Sequence, residues 1–288
     1  MGALRVGTSG WSYADWVGGF YPAGTKPGEY LGVYTGSFDI VEVDSTYYRV
    51  PALRTVQGWA AKTPESFRFA VKAPDTITHE KCLLNCRADV EEFLTALEPL
   101  DDKLCAILLQ FGYFNKQAFA APAKFFDRLD AFLGVLPDPR RVAVEIRNRT
   151  WFNDAFLGVL RGHGASVALA DHVWMPPIER LLDTLDCLTG DFLYVRLIGD
   201  RKGIEAITTT WDEVVVDRSE RIRSIVKALA GVLPRADIIA FINNHYAGHA
   251  PASCRMFLEA MASAGVSPSP RRARASAPKR RRNRESAS

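Results

Sequence analysis

The sequence predicts an α/β fold, a single (β/α)₈ TIM-type barrel followed by a basic C-terminal tail, and three observations carry that expectation. Short β-rich runs alternate with helical patterns eight times along the chain. Several runs, such as Ala106 to Leu109 and Ile238 to Ile242, are continuously apolar, as expected of parallel strands covered on both faces. The alternation fills residues 1–266 of 288, close to the roughly 250 residues typical of such barrels. A doubly wound open sheet is the alternative use of the same elements.

In chain order the strands are expected at Leu4 to Thr8, Asp39 to Val43, Phe67 to Lys72, Leu104 to Gln110, Val142 to Arg147, Ser166 to Ala170, Phe192 to Leu197 and Asp237 to Ile242. The crossovers between them carry helix signals. Asp89 and Glu92 form an acidic analogue of a capping box ahead of Val90, Phe93, Leu94 and Leu97, with Pro99 near the end. Pro122 suits a first helical turn, and Phe125, Phe126, Leu129, Phe132, Leu133 and Leu136 form one stripe ending at Pro137. Trp151 to Leu160, the short Ile178 to Leu185 and Ser253 to Ala264 fill further crossovers. Asp217 and Glu220 read as a cap before Ile222, Ile225, Val226 and Leu229, with Gly231 as terminator.

Composition narrows the class. A 48% hydrophobic share excludes a mainly disordered chain, and at about 300 residues roughly 75% of the unfolded surface can be buried. From Ser267 to Ser288 there are eight basic residues against Glu285, a charge of +7, which leaves residues 1–266 with 28 bases against 32 acids, or −4. That tail has no Leu, Ile, Phe, Trp or Tyr and is expected to be disordered. No apolar run approaches the ~20 residues that span a bilayer, and Met1 to Ser12 has no signal-peptide pattern, so a soluble cytoplasmic protein without a membrane partner is expected. The five cysteines, an odd number, are expected to be reduced thiols.

Barrel enzymes place their chemistry where strands end. Those positions hold Glu42 and Asp44, Lys72, Gln110, Glu145 and Arg147, Asp171, Arg196, and Asn243 with Asn244. Residues two apart share a strand face, so Glu42 with Asp44, and Glu145 with Arg147, should look into one space. Two carboxylates about 4 Å apart repel by roughly 4 kcal/mol at an effective dielectric of 20, so four acids there need counter-charges, protons or a metal. Lys72, Arg147 and Arg196 supply three positive charges. The readings are a substrate site with a perturbed acid or base, and a structural ion-pair network tying strand ends together.

Glu42, Glu145 and Asp171 are the candidate catalytic carboxylates. The candidate substrate-binding set is Trp11, Tyr13, Asp44, Tyr48, Lys72, His79, Gln110, Arg147, Trp151, Arg196, Asn243, Asn244 and His245. Arg196 with the loop from Asn243 to Ala250 is the favoured anion contact, and Gly7, Ser9, Gly10 and Gly248 offer backbone N–H groups or plain turn chemistry. The loop aromatics suit either stacking on a ring or packing onto the barrel. No cofactor is expected. An oxygen-rich Mg²⁺ or Mn²⁺ site from Glu42, Asp44, Glu145 and Asp171 is the weaker reading, and the five histidines all fall in loops or helices. Cys82 and Cys86 lack a matching second pair, and there is no P-loop, G-x-G-x-x-G or G-x-S-x-G motif.

These residues sit in motifs that resemble the domain of unknown function 72, or YecE-like, family. The carrying segments are Gly7 to Tyr13 with Phe20 to Pro22, Val41 to Tyr48, Trp59 to Lys72, Ile77 to Glu80, Glu145 to Trp151, Tyr194 to Leu197 and Phe241 to Pro251. The resemblance runs in order from residue 4 to about residue 260 and implies a TIM-type barrel of unassigned activity. Three departures stand out: Asp44 replaces the usual Asn, Gln110-Phe111-Gly112-Tyr113 replaces Q-L-P-P, and Ile198-Gly199 replaces His-Gly. The last removes a candidate general base or ligand.

The resulting expectation is a rim pocket binding an anionic, phosphate- or sugar-containing ligand, in a protein that is either an enzyme of hydrolase or isomerase type or a non-catalytic binding module. Nucleic acid is a second expected partner, through the salt-sensitive charge of residues 267–288.

Overall fold

In a computed structural model, which describes residues 2–266, the eight expected strands are present. They are β1 (Leu4–Thr8), β2 (Ile40–Val43), β3 (Arg68–Lys72), β4 (Leu104–Gln110), β5 (Val142–Glu145), β6 (Ser166–His172), β7 (Phe192–Gly199) and β8 (Asp237–Ile242). All neighbours pair in parallel, in the order β1-β8-β7-β6-β5-β4-β3-β2. The two ends of that order meet through a parallel bridge between Ser9 and Glu42, with Gly10 N donating to Glu42 O at 2.8 Å. The sheet is therefore a nearly closed barrel and not an open doubly wound one. Gly7 permits the approach: a Cβ there would lie 2.1 Å from Ile40 O.

The helices are α1 (Tyr30–Tyr34), α2 (Leu53–Ala61), α3 (Arg87–Leu97), α4 (Pro122–Leu133), α5 (Asp154–His163), α6 (Ile178–Thr184), α7 (Arg201–Glu205), α8 (Ser219–Ala230) and α9 (Ala250–Ser263). Their apolar faces cover the outward residues of the strands. On α4, Phe125, Phe126, Leu129, Phe132 and Leu133 are all buried, and each such side chain contributes about 1.5–3 kcal/mol of transfer free energy. Pro122 takes the first turn as expected. The acidic cap expected at Asp89 is instead a first-turn residue behind Cys86. Asp217 lies one residue outside the α8 cap Arg218 and accepts from Ser219 N at 2.8 Å.

The inward face holds a second core. Ala70, Ala106, Ala143 and Ala168 leave room in the lower barrel for Ile40, Leu108, Tyr194, Ile239 and Phe241. Small residues on neighbouring strands thus create the volume into which long polar side chains descend from the carboxyl end. All five cysteines are free thiols. Among the described residues no helix is long and apolar enough to cross a membrane. The tail expected at 267–288 lies outside the described residues.

Candidate functional site

Strand parity decides which polar residues enter the barrel. Glu42 follows Ile40 on the inner face of β2, Glu145 follows Ala143 on β5, and Arg196 follows Tyr194 on β7. There they meet. Arg196 donates from Nε to Glu42 Oε2 at 2.8 Å, from Nη2 to Glu42 Oε1 at 2.7 Å and from Nη1 to Glu145 Oε2 at 2.7 Å. The Tyr194 hydroxyl donates to Glu42 Oε2 at 2.6 Å, and Arg147 Nε donates to Glu145 Oε1 at 2.6 Å. Glu42 and Glu145 are 0% exposed and Arg196 is 5% exposed.

Burying two carboxylates is costly unless their oxygens are matched by donors, and here each of the four oxygens has one. Burial pushes the Glu145 carboxyl upward, but the Arg147 and Arg196 guanidiniums, with Lys72, outweigh it and hold it down at about 2. Burial works against the Arg196 charge, yet Glu42 and Glu145 keep it well above the usual arginine range. Glu145 is therefore a fixed negative charge that orients Arg147, and not a proton donor at neutral pH. Arg196, expected as an anion contact, is spent on the two glutamates.

Around this floor stands a looser rim. Lys72 lies two residues past Ala70 on the inner face of β3, and its Nζ sits 3.8 Å from the centre of the Tyr47 ring. Among the described residues no carboxylate lies within ion-pair distance of it. Burial and the neighbouring Arg196 lower its pKa to about 8. Asp44, the residue after β2, has its carboxyl raised by burial and by Glu42. Gly10, at φ +83°, brings Tyr13 and Asp44 together: a Cβ on it would lie 3.2 Å from the Tyr13 ring and 3.5 Å from Asp44 Oδ1. The Tyr13 hydroxyl donates to Ser9 O at 3.1 Å, and its pKa is raised by burial and by Asp44. The buried Ser9 Oγ has no hydrogen-bond partner among the described residues.

Gln110 stands opposite Glu145 in the β4–β5 register. His79 Nδ1 pairs with Thr78 Oγ1 at 2.8 Å, and its ring meets Tyr47 edge-on at 5.2 Å. Burial and Lys72 lower its pKa, which favours the neutral ring. His172, expected in a loop, is the last residue of β6 and continues the inner series Ala168, Ala170. Burial and then Arg147 lower it to about 4. Its Nδ1 accepts from Trp174 N at 3.2 Å, so the neutral ring carries its proton on Nε2.

Several expected residues are elsewhere. Asp171 alternates with His172 and faces outward, where Arg221 of α8 donates to it from Nη2 at 2.6 Å and also pairs with Glu179 of α6. It ties two helices to the barrel and does not join Glu42 and Glu145. Trp151, 7% exposed, is packed among Phe114, Phe119, Phe125 and Phe126. Trp11 packs edge-on against Trp59 at 5.6 Å and Phe69 at 6.5 Å, on the helix-facing side of β3. Tyr48 is 77% exposed and touches Tyr47 only by its edge.

The loop after β8 is likewise structural. Asn243 Oδ1 accepts from His245 N at 2.9 Å and pairs with His245 Nδ1 at 2.6 Å, while His245 Nε2 faces Glu205 Oε1 at 3.1 Å. Buried Asn244 accepts from Ala250 N at 2.9 Å, satisfying a free N–H at the start of α9. Gly10 N is used in closing the barrel, Ser9 N donates to Ile242 O at 3.0 Å and Gly248 N donates to Asn244 O at 2.7 Å. None of these amides is left for an anion.

Sequence reasoning missed Tyr194 and left Tyr47 and His172 out of the candidate site, while Ser9 was offered only for its backbone N–H. Tyr194 and His172 were signalled by parity, standing two residues from Arg196 and Ala170; the ring placement of Tyr47 had no local signal. As for metals, Asp171 is absent from the group and Glu42 and Glu145 have every oxygen engaged. No three His, Cys, Asp or Glu among the described residues converge as a ligand set. What remains open at the mouth is the Lys72 amine, the Arg147 terminal nitrogens, which have no partner among the described residues, and the Asp44 carboxyl.

Known proteins share this architecture. The family profile described as "Protein of unknown function DUF72" matches residues 5–278. The UPF0759 protein YecE of Escherichia coli K12 is 31% identical over 158 residues, 52% of this chain and 50% of the relative. The UPF0759 protein YunF of Bacillus subtilis is 31% identical over 161 residues, 53% of this chain and 54% of the relative. The chain thus spans about half the length of the curated relatives it matches. A crystal structure of a DUF72 family protein from Thermotoga maritima aligns with TM-score 0.69 and 27% identity, covering 91% of this chain and 99% of that one. One from Enterococcus faecalis, at 20% identity and TM-score 0.65 over 91% of this chain and 98% of its own, shares the fold. With eight parallel strands, the bridged closure and a family match over nearly its whole length, the chain belongs to the DUF72 family.

Proposed function

We propose that the carboxyl-end mouth of the barrel binds a small anionic ligand, a phosphate- or carboxylate-bearing sugar or acid, and moves a proton on it. One observation carries this reading: the buried glutamates engage all three nitrogens of Arg196 but only Nε of Arg147, leaving the Arg147 terminal nitrogens and Lys72 without anionic partners among the described residues. Three cations stand over two engaged carboxylates, and Asp44, with its carboxyl raised, is the group suited to exchange a proton with the ligand.

Isothermal titration with inorganic phosphate and sugar phosphates tests it. Lys72→Met and Arg147→Gln are each expected to weaken binding by about 10- to 100-fold, the range of a lost charge-assisted hydrogen bond. Unchanged affinity in both variants would reject the site. A second reading has its own observation, the +7 charge of residues 267–288 against −4 in the remainder: binding of a polyanion through the tail, independent of the mouth.

A further inference from the structure

We propose that Lys72 is a nucleophilic amine that forms an imine with an aldehyde or ketone carrying a carboxylate or phosphate group. The inference rests on the reading of the mouth as an anion site and names the chemistry that site performs.

The lysines of this chain fall into two kinds. Lys103, also buried, donates from Nζ to Ala60 O at 2.7 Å and Thr63 O at 2.8 Å, and Lys62 donates to Gly28 O at 2.9 Å. Lys81 is paired with Asp89 at 2.5 Å. Such contacts tie up the hydrogens of the ammonium group, although burial lowers the pKa of Lys103 as well. Lys72 has different surroundings: a guanidinium lies nearby and the two neighbouring glutamates are already claimed by arginines, and although the Tyr47 ring face 3.8 Å from its Nζ favours the ammonium form, burial is the larger effect and disfavours it. A desolvated amine next to another cation is the arrangement that makes lysine a nucleophile. With its pKa at about 8, roughly two hundredfold more of it than of an ordinary lysine is free amine at neutral pH.

The step balances within the mouth. The Nζ lone pair attacks the carbonyl carbon, an N–C bond forms, and a proton passes from nitrogen to the former carbonyl oxygen, giving a carbinolamine. Asp44, whose carboxyl burial and Glu42 favour in the protonated form, supplies the proton with which that oxygen leaves as water. The nitrogen lone pair closes the C=N bond, and no oxidant or reductant is consumed. The Arg147 terminal nitrogens hold the anionic substituent, which selects an acidic carbonyl compound over a neutral one.

The test uses the full chain with pyruvate as probe and sodium cyanoborohydride as trap, read by peptide mass mapping. The expected result is a reduced adduct at Lys72 at roughly tenfold or more the level found on exposed lysines such as Lys26 and Lys202. Acetone, which lacks the anionic group, is expected to label Lys72 roughly tenfold less, and Lys72→Arg should abolish labelling there while the protein stays folded. Labelling of Lys72 no higher than that of Lys26, with phosphate binding at the mouth intact, overturns the imine and leaves the anion site standing. Loss of phosphate binding together with labelling overturns the anion site itself, and equal labelling by acetone overturns the selection for an acidic carbonyl.

Discussion

Arg196 grips Glu42 with both Nε and Nη2, across 154 residues of chain, at 2.8 and 2.7 Å. The fork-to-carboxylate pairing joins β7 to β2, which are not neighbours in the sheet, and the third bond to Glu145 brings in β5. The network therefore braces the barrel across its interior as well as orienting Arg147. Removing the guanidinium would strand two buried carboxylates. Arg196→Ala is expected to destabilise the fold by about 3–5 kcal/mol in urea unfolding, and Arg196→Lys should recover only part of it, since an ammonium cannot reproduce the fork.

Asp171 provides the contrast. Its pairing with Arg221 lies on the helix side of β6, with side-chain exposures of 16% and 26%. Asp171→Asn should cost about 1 kcal/mol of stability, measured by thermal unfolding, and leave phosphate affinity unaltered. A fall in affinity equal to that of Arg147→Gln would put Asp171 in the mouth after all.

The aromatics separate in the same way. Trp151 is wedged among four phenylalanines and Tyr48 stands in solvent. Trp151→Ala is expected to lose about 3–5 kcal/mol, and Tyr48→Ala to stay within about 0.5 kcal/mol of the parent. Chemical denaturation of the two variants side by side reads the difference.

These contrasts mark what was legible in the sequence. The strand count, the parallel order and the inward placement of Glu42, Glu145, Arg147 and Arg196 follow from a period-two pattern, which each strand carries locally. Asp171 lies close to a strand end but points outward, because β6 runs on to His172 and its inner series is Ala168, Ala170, His172. Trp11, Tyr48 and Trp151 were beyond reach because a loop side chain turns toward whatever partner the tertiary fold supplies. For Trp151 that partner is the Phe125 face of α4. Whether a charged group is open or engaged is equally non-local: Arg196 and Lys72 look alike in the sequence, and only the glutamates' geometry distinguishes them.

The histidines give the protein an acid limit. His172 is held neutral with its pKa at about 4, and His79, His245 and His249 are lowered as well, each mainly by burial. A histidine lowered in the folded state is protonated first in the unfolded chain, so its stabilisation is complete above about pH 6.5 and is lost as pH falls toward 4. Unfolding free energies between pH 7 and 4 should drop, with His172→Gln removing about 1–2 kcal/mol of that drop once partial solvent access is discounted. A flat profile across that range would contradict the neutral assignment.

The tail and the mouth should act independently. Deleting residues 267–288 removes a charge of +7, and the slope of log affinity for single-stranded oligonucleotide against log salt is expected to fall by up to about 5. Phosphate binding at the mouth should be untouched. Oligonucleotide binding that survives the deletion with its salt slope unchanged would move the polyanion contact onto the barrel.

Two buried glutamates fix Arg196 and Arg147 in place, and the proposed anion would sit between the Arg147 terminal nitrogens and Lys72. The most direct measurement is an anomalous difference map from crystals soaked in selenate. A selenium peak within hydrogen-bonding distance of both the Arg147 terminal nitrogens and Lys72 Nζ is the predicted result. Peaks confined to outer arginines such as Arg221, with the mouth occupied by water alone, would contradict it.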